Sequence, residues 1–134
     1  MSQVPGRTDK ILIVDDDVRI RDLLRRYLTQ EGFDVVQAED GKALTRVLLR
    51  EAVDLIVLDL MMPEVNGFDV VEGLQGDPAT ARIPILVVTG KAVDDDDRAR
   101  LNGRVAAILA KTSFDTARFV AEVRRAVAGR RVGG

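Results

Sequence analysis

The 134-residue chain has no cysteine, no histidine and no tryptophan, and only one tyrosine. Without cysteine there is no disulfide, no thiol nucleophile and no thiolate metal site. Without histidine, imidazole catalysis and histidine-ligated zinc are excluded too. Any bound metal must therefore accept oxygen ligands, which favours magnesium, calcium or manganese. An excess of one charge is also missing: 20 basic against 22 acidic residues give a net charge of −2. Such a balance offers no global field to nucleic acid or an anionic membrane, and neither direct nucleic-acid binding nor membrane insertion is expected. Apolar runs such as IPILVV (83–88) are far too short to cross a bilayer. No signal peptide is read at the start, so a cytoplasmic protein is expected. What is present is an ordinary globular balance, 46% hydrophobic and 31% charged, at a length that suits one domain with a proper core.

Along the chain, residues 1–9 (MSQVPGRTD) read as a flexible lead-in, residues 10–129 as the folded domain and residues 130–134 as a flexible tail. Within the domain two periodicities alternate. KILIV (10–14), FDVVQA (33–38), DLIVLD (54–59), IPILVVT (83–89) and VAAILA (105–110) are short apolar runs that predict strands. Between them, Ile20, Leu23, Leu24, Tyr27 and Leu28 recur at helical spacing until Gly32. Ala43, Leu44, Val47 and Leu48 mark a second helix, and Phe68, Val71 and Leu74 a third. A polar helix runs from about Asp94 to Asn102, and Val120, Val123 and Val127 give the last helix its stripe. Strands with nearly continuous apolar runs are those buried on both faces, so the pattern predicts a doubly wound α/β domain with a parallel sheet.

In such sheets ligands bind beyond the carboxyl ends of the strands, where the strand order reverses. The first strand ends in Asp15-Asp16-Asp17, the third in Asp59, the fourth in Thr89 and the fifth in Lys111. For the strand order 2-1-3-4-5, Asp15, Asp16 and Asp59 face one crevice, with Thr89 and Lys111 along its side. One aspartate of the triplet serves as a helix N-cap, and three exceed what a cap requires. Carboxylates crowded in this way repel unless a divalent cation neutralises them, and magnesium suits such a site, with manganese as an alternative. Lys111 is placed to neutralise one phosphoryl oxygen and Thr89 to donate to another. Asp59 is the candidate nucleophile, since phosphoryl transfer needs mainly positioning and charge neutralisation. The second acidic run, Asp94–Asp97, reads as favourable charge opening a helix rather than a cation site. Met61 and Met62 read as packing residues.

ILIVDDD, DLIVLDLMMPEVNG, PILVVTG and a lysine closing the fifth strand resemble, in this order and spacing, the receiver domain of two-component response regulators. The resemblance covers about residues 10–129, and its later part, LNGRV followed by ILAK, is closer to receivers associated with hybrid histidine kinases. It implies a (βα)5 flavodoxin-like three-layer sandwich. It implies further that Asp59 is the phosphoacceptor, that Asp15 and Asp16 are the acidic pair, and that the Met61 backbone carbonyl completes the metal shell. Thr89 and Lys111 match the switch hydroxyl and the phosphate-binding lysine. The implied cofactor is magnesium, and the implied donor is a histidine kinase or a histidine phosphotransfer protein, with a downstream protein as target. Intrinsic hydrolysis of the aspartyl phosphate is implied as well, without turnover of an external substrate.

Two departures bear on output. Receivers usually have a cis proline after the lysine, where this chain has Thr112, and an aromatic residue three positions before it, where this chain has Ile108. A trans Lys111-Thr112 bond and a readout without a rotating aromatic are therefore expected. Two other readings remain open. One is a magnesium-dependent aspartyl-phosphate phosphatase or phosphotransferase, which needs an acid/base carboxylate where Met61 stands; the other is a degenerate receiver that only docks.

Overall fold

A computed structural model describes residues 8–133, with side chains through residue 129. The elements are β1 (Lys10–Val14), α1 (Val18–Gln30), β2 (Asp34–Ala38), α2 (Gly41–Arg50), β3 (Leu55–Leu58), β4 (Met61–Met62), β5 (Val65–Asn66), α3 (Gly67–Gly76), β6 (Ile85–Thr89), α4 (Asp95–Leu101), β7 (Ala107–Ala110) and α5 (Thr116–Gly133). Five of the strands form one parallel sheet in the order β2-β1-β3-β6-β7, the flavodoxin-like order expected once the small β4–β5 hairpin is set aside.

The alternation of side chains along each strand sorts the core into two halves. Leu12 and Val14 of β1, Ile56 and Leu58 of β3, and Ile85 and Val87 of β6 pack against Leu44 and Val47 of α2, Val71 of α3 and Leu101 of α4. Ile11, Ile13, Leu55, Val57, Leu86 and Val88 point the other way, against Leu24 and Leu28 of α1 and Phe119, Val123 and Val127 of α5. This is why the strands read as continuous apolar runs.

Helix starts follow the acidic and amide residues. Asp17 caps α1 by accepting from Arg19 N, Asp40 caps α2 by accepting from Ala43 N, and Asn66 caps α3 by accepting from Phe68 N. Asp94 caps α4 in a reciprocal capping box with Asp97, so this acidic run serves the helix. Gly32, at φ 93°, ends α1 where the sequence places the stop.

Several boundaries differ from expectation. Of the expected lead-in over residues 1–9, residues 1–7 lie outside the described part. Asp9, however, already belongs to the sheet margin, its carbonyl accepting from Asp34 N at 3.0 Å. Residues 130–133, read as part of a flexible tail, continue α5 as helix. Arg130 and Arg131 are good helix formers, and the helix continues to them through Gly129, the one poor helix former on the way. The fourth and fifth sheet strands begin at Ile85 and Ala107, two residues later than the apolar runs. The β4–β5 hairpin has no counterpart in the sequence reading. Its two-residue turn is Pro63-Glu64, with Glu64 at φ 62°, the backbone of a type II turn. Among the described residues no peptide bond is cis, so Lys111-Thr112 is trans as expected. None of the described helices is long and apolar enough to cross a membrane.

Candidate functional site

β1 and β3 are neighbours in register, Val14 opposite Leu58, so the residues that follow them lie side by side at the carboxyl edge of the sheet. Asp15 and Asp59 are therefore brought together, and both are buried, at 2% and 4% exposure. Asp16 follows on the exposed side. Carboxylate oxygens of Asp15, Asp16 and Asp59 all lie within 4.8 Å of one another. β6 delivers Thr89, fully buried, whose hydroxyl donates to Asp59 Oδ1 at 2.9 Å. Lys111, just past β7, places Nζ 2.6 Å from Asp15 Oδ2 and 3.0 Å from Asp59 Oδ2. Met61 N donates to Asp59 Oδ1 at 3.1 Å. All six residues singled out in the sequence thus meet at one place.

Electrostatics explain what holds the cluster. Burial pushes the Asp15 carboxyl above its ordinary value. The Lys111 ammonium and the Asp17 N–H pull it back, and the charge of Asp59 adds to the upward push. For Lys111, burial works against the ammonium, yet the hydrogen bonds to Asp15 and Asp59 outweigh it and raise its pKa. The lysine thus acts as an internal cation between two buried carboxylates. No buried side-chain nitrogen or oxygen among the described residues is left without a partner.

The donor set fits a hard divalent cation. It consists of three carboxylates with no nitrogen or sulfur ligand, and the presence of an ammonium against two of them marks the place where positive charge is needed. No other such group of acidic residues occurs among the described residues; Asp94–Asp97 does not form one. Asp97 instead pairs with Lys91 Nζ at 2.9 Å.

Three supports were not legible in the sequence. Arg21, on α1, donates to the backbone carbonyl of Asp15 at 2.5 Å and to Gln37 Oε1 at 3.0 Å, tying the acidic turn to β2. A Cβ on Gly67 would lie 2.4 Å from Leu60 Cα, so only glycine permits α3 to start so close behind the Asp59 loop. The PEVNG stretch, with proline in a turn and glycine at a helix start, was the available signal. Lys91 N donates to Thr89 Oγ1 at 3.2 Å, linking that hydroxyl to the loop after β6. Met62 is buried as a packing residue should be, whereas the Met61 side chain is 58% exposed and does not pack. The hairpin turns it outward while its backbone faces Asp59. Ile108 is half-buried against the core beneath α4.

Comparison with known proteins agrees with this geometry. The sequence pattern of the family described as "Response regulator receiver domain" matches residues 11–124. The DNA-binding dual master transcriptional regulator RpaA of Synechocystis sp. is 39% identical over 115 residues, which are 86% of this chain and 47% of that protein. The regulatory protein VirG of Agrobacterium fabrum is 32% identical over 117 residues, 87% of this chain and 45% of that protein. The chain thus spans less than half the length of these relatives. Among solved structures, the CheY-like receiver domain protein of Methanospirillum hungatei superposes with a TM-score of 0.86 at 22% identity, covering 96% of this chain and all of that one, a likeness of fold. The receiver domain of a histidine kinase from Syntrophus aciditrophicus gives 0.81 at 26% identity, covering 91% of this chain and 92% of that one. With its acidic set at the reversal point of a five-stranded parallel sheet, the chain belongs to the response regulator receiver domain family, the phosphoacceptor module of two-component signalling.

Proposed function

We propose that Asp59 is the phosphoacceptor of this receiver, and that a histidine kinase or a histidine phosphotransfer protein is the donor. These 134 residues hold no histidine, so the phosphohistidine lies outside them. The observation that carries the reading is the convergence on one buried carboxylate of a hydroxyl, an ammonium and a backbone N–H, with two further carboxylates alongside. A carboxylate oxygen of Asp59 attacks phosphorus. The new O–P bond forms as the donor's P–N bond breaks, and the imidazole leaves with the electron pair.

Magnesium, held by Asp15, Asp16, Asp59 and the Met61 carbonyl, supplies neutralisation of the phosphoryl oxygens when bound. The Lys111 ammonium, now shared between Asp15 and Asp59, is within reach of a phosphoryl group on Asp59 and donates to one of its oxygens. Thr89 turns its hydroxyl from Asp59 Oδ1 to another. That movement takes away the acceptor of Lys91 N, so the loop from Gly90 onward follows Thr89. Ile108 has no aryl ring to swing, which leaves residues 90–103 as the moving output. Water in time attacks the acyl phosphate and resets the domain, with no external substrate turned over. A phosphatase reading needs an acid at Met61, whose exposed thioether offers none. The setting of the reaction is the cytoplasm.

Intact-mass measurement after incubation with acetyl phosphate and magnesium tests the assignment. One phosphoryl adduct is expected, absent in Asp59→Asn and absent without the divalent cation. An undiminished adduct in Asp59→Asn overturns the reading.

A further inference from the structure

Asp15 and Asp16 are consecutive, so the peptide unit between them governs where both carboxylates point. That unit is planar, and holding its oxygen, the Asp15 carbonyl, fixes it as a whole. β2 ends at Ala38, whose carbonyl accepts from Asp15 N at 3.1 Å. Past this point the Asp15 carbonyl is held by the Arg21 guanidinium, with Nη1 at 2.5 Å. Two further bonds brace the turn, Asp17 N on Asp15 Oδ1 at 2.9 Å and Arg21 N on Asp17 O at 3.1 Å. The guanidinium contact differs from these in being made by a side chain from outside the acidic triplet.

Arg21 lies near the start of α1, where positive charge is the unfavourable sign for the helix dipole. It forms no ion pair among the described residues. Its other contact runs from Nε to Gln37 Oε1 at 3.0 Å. On β2, Val35 packs into the half of the core beneath α1, and Gln37, two residues further on, stands on the same face opposite Ile13. A glutamine there interrupts an apolar face and meets the guanidinium. Both side chains are half-buried. A rigid fork held on two separate oxygens has one orientation, which a flexible ammonium does not reproduce.

We propose that Arg21 is a positioning residue for the magnesium-dependent phosphorylation of Asp59, and that Gln37 holds its guanidinium in place. The clamp on the Asp15 carbonyl keeps the Asp15 and Asp16 carboxylates in the arrangement that receives the cation. The proposal rests on the phosphoacceptor reading and adds to it two residues outside the acidic set. Partners that orient metal ligands from behind are worth about 10–100-fold in metal affinity.

Magnesium titration of the unphosphorylated chain, followed by NMR shifts, tests this. Arg21→Ala is expected to raise the magnesium Kd at least about tenfold. Arg21→Lys should recover part of that loss, since lysine reaches one oxygen but not both. Gln37→Leu should raise Kd by less, and should add nothing in the Arg21→Ala background, because it acts through the guanidinium. The shifts report the folded chain alone, so a variant that merely loses stability melts earlier in EDTA and keeps the wild-type Kd. With acetyl phosphate as donor, the magnesium concentration at half-maximal rate should rise in step with Kd, while the rate at saturating magnesium falls less. If Arg21→Ala does not fold, Arg21→Lys and Gln37→Leu carry the same comparison. Wild-type Kd values in the Arg21 and Gln37 variants overturn the proposal, as does a Gln37→Leu effect that persists in full without Arg21. A wild-type chain that binds magnesium but takes no phosphoryl group on Asp59 fails the phosphoacceptor reading instead, and one that binds no magnesium overturns both.

Discussion

Replacing Lys111 with methionine removes the ammonium that touches both buried carboxylates while keeping most of the side chain's length. Nζ lies 2.6 Å from Asp15 and 3.0 Å from Asp59, acids that are 2% and 4% exposed. Deleting one partner of a buried ion pair costs about 3–5 kcal/mol, because the other charge is left uncompensated. Two features reduce the loss here. The lysine side chain keeps 20% of its surface in water. The outer oxygens also keep their donors, Asp17 N on Asp15 and Thr89 and Met61 N on Asp59. The expected loss is about 2–3 kcal/mol near neutral pH without divalent cation.

The deficit should depend on pH in a definite direction. Burial already holds the Asp15 carboxyl up, and the variant loses the Lys111 hydrogen bond that opposes it. When the folded pKa of an acid exceeds its unfolded one, the unfolded chain releases the proton first as pH rises. Stability then falls from the unfolded value, near 3.8, through the raised folded value and stays low above it. The variant's deficit is therefore full at neutral pH and shrinks on acidification. Magnesium should recover part of it, since binding to the folded site alone adds about 1.4 kcal/mol for each tenfold excess over Kd. Urea unfolding followed by far-ultraviolet circular dichroism suits a chain with one tyrosine and no tryptophan. A variant with the wild-type midpoint in EDTA at neutral pH would refute the reasoning, as would a deficit indifferent to both pH and magnesium.

Other expectations follow from the same contacts. Gly67→Ala sets a methyl group 2.4 Å from Leu60 Cα and should cost about 1–3 kcal/mol while slowing phosphorylation; a neutral result would disprove the close approach. Thr89→Val keeps the volume but removes the donor to Asp59 Oδ1, and should destabilise by about 1–2 kcal/mol and slow phosphoryl transfer without moving it from Asp59. Asp16→Ala, at an exposed position, should leave stability within about 0.5 kcal/mol yet abolish the magnesium-induced NMR shifts. In the wild type, magnesium affinity should rise with pH through the raised Asp15 pKa, since the cation requires the carboxylate. Amide exchange with a fluoroberyllate phosphoryl mimic should change mainly over residues 90–103, the loop tied to Thr89 through Lys91 N, and a change centred on Ile108 alone would count against that output route.

Periodicity was enough to read the layered α/β fold, because strands buried on both faces leave no polar alternation and the helices between them show theirs. The acidic set was legible for a related reason. Asp15, Asp59, Thr89 and Lys111 stand where apolar runs stop, and parallel strands bring their carboxyl ends to one edge. What local sequence did not hold were features made by distant pairs. The hairpin at Met61–Asn66 depends on how closely Gly67 approaches Leu60, and the grip of Arg21 on Asp15 and Gln37 depends on α1 lying over β1 and β2. The direction of the Met61 side chain and the later strand starts at Ile85 and Ala107 are likewise decided by partners across the sheet and hairpin. Propensity and pattern act over a few residues, so they determine which elements form and where their polar ends fall. Distances between side chains far apart in the chain are set only when the whole sheet has closed around them.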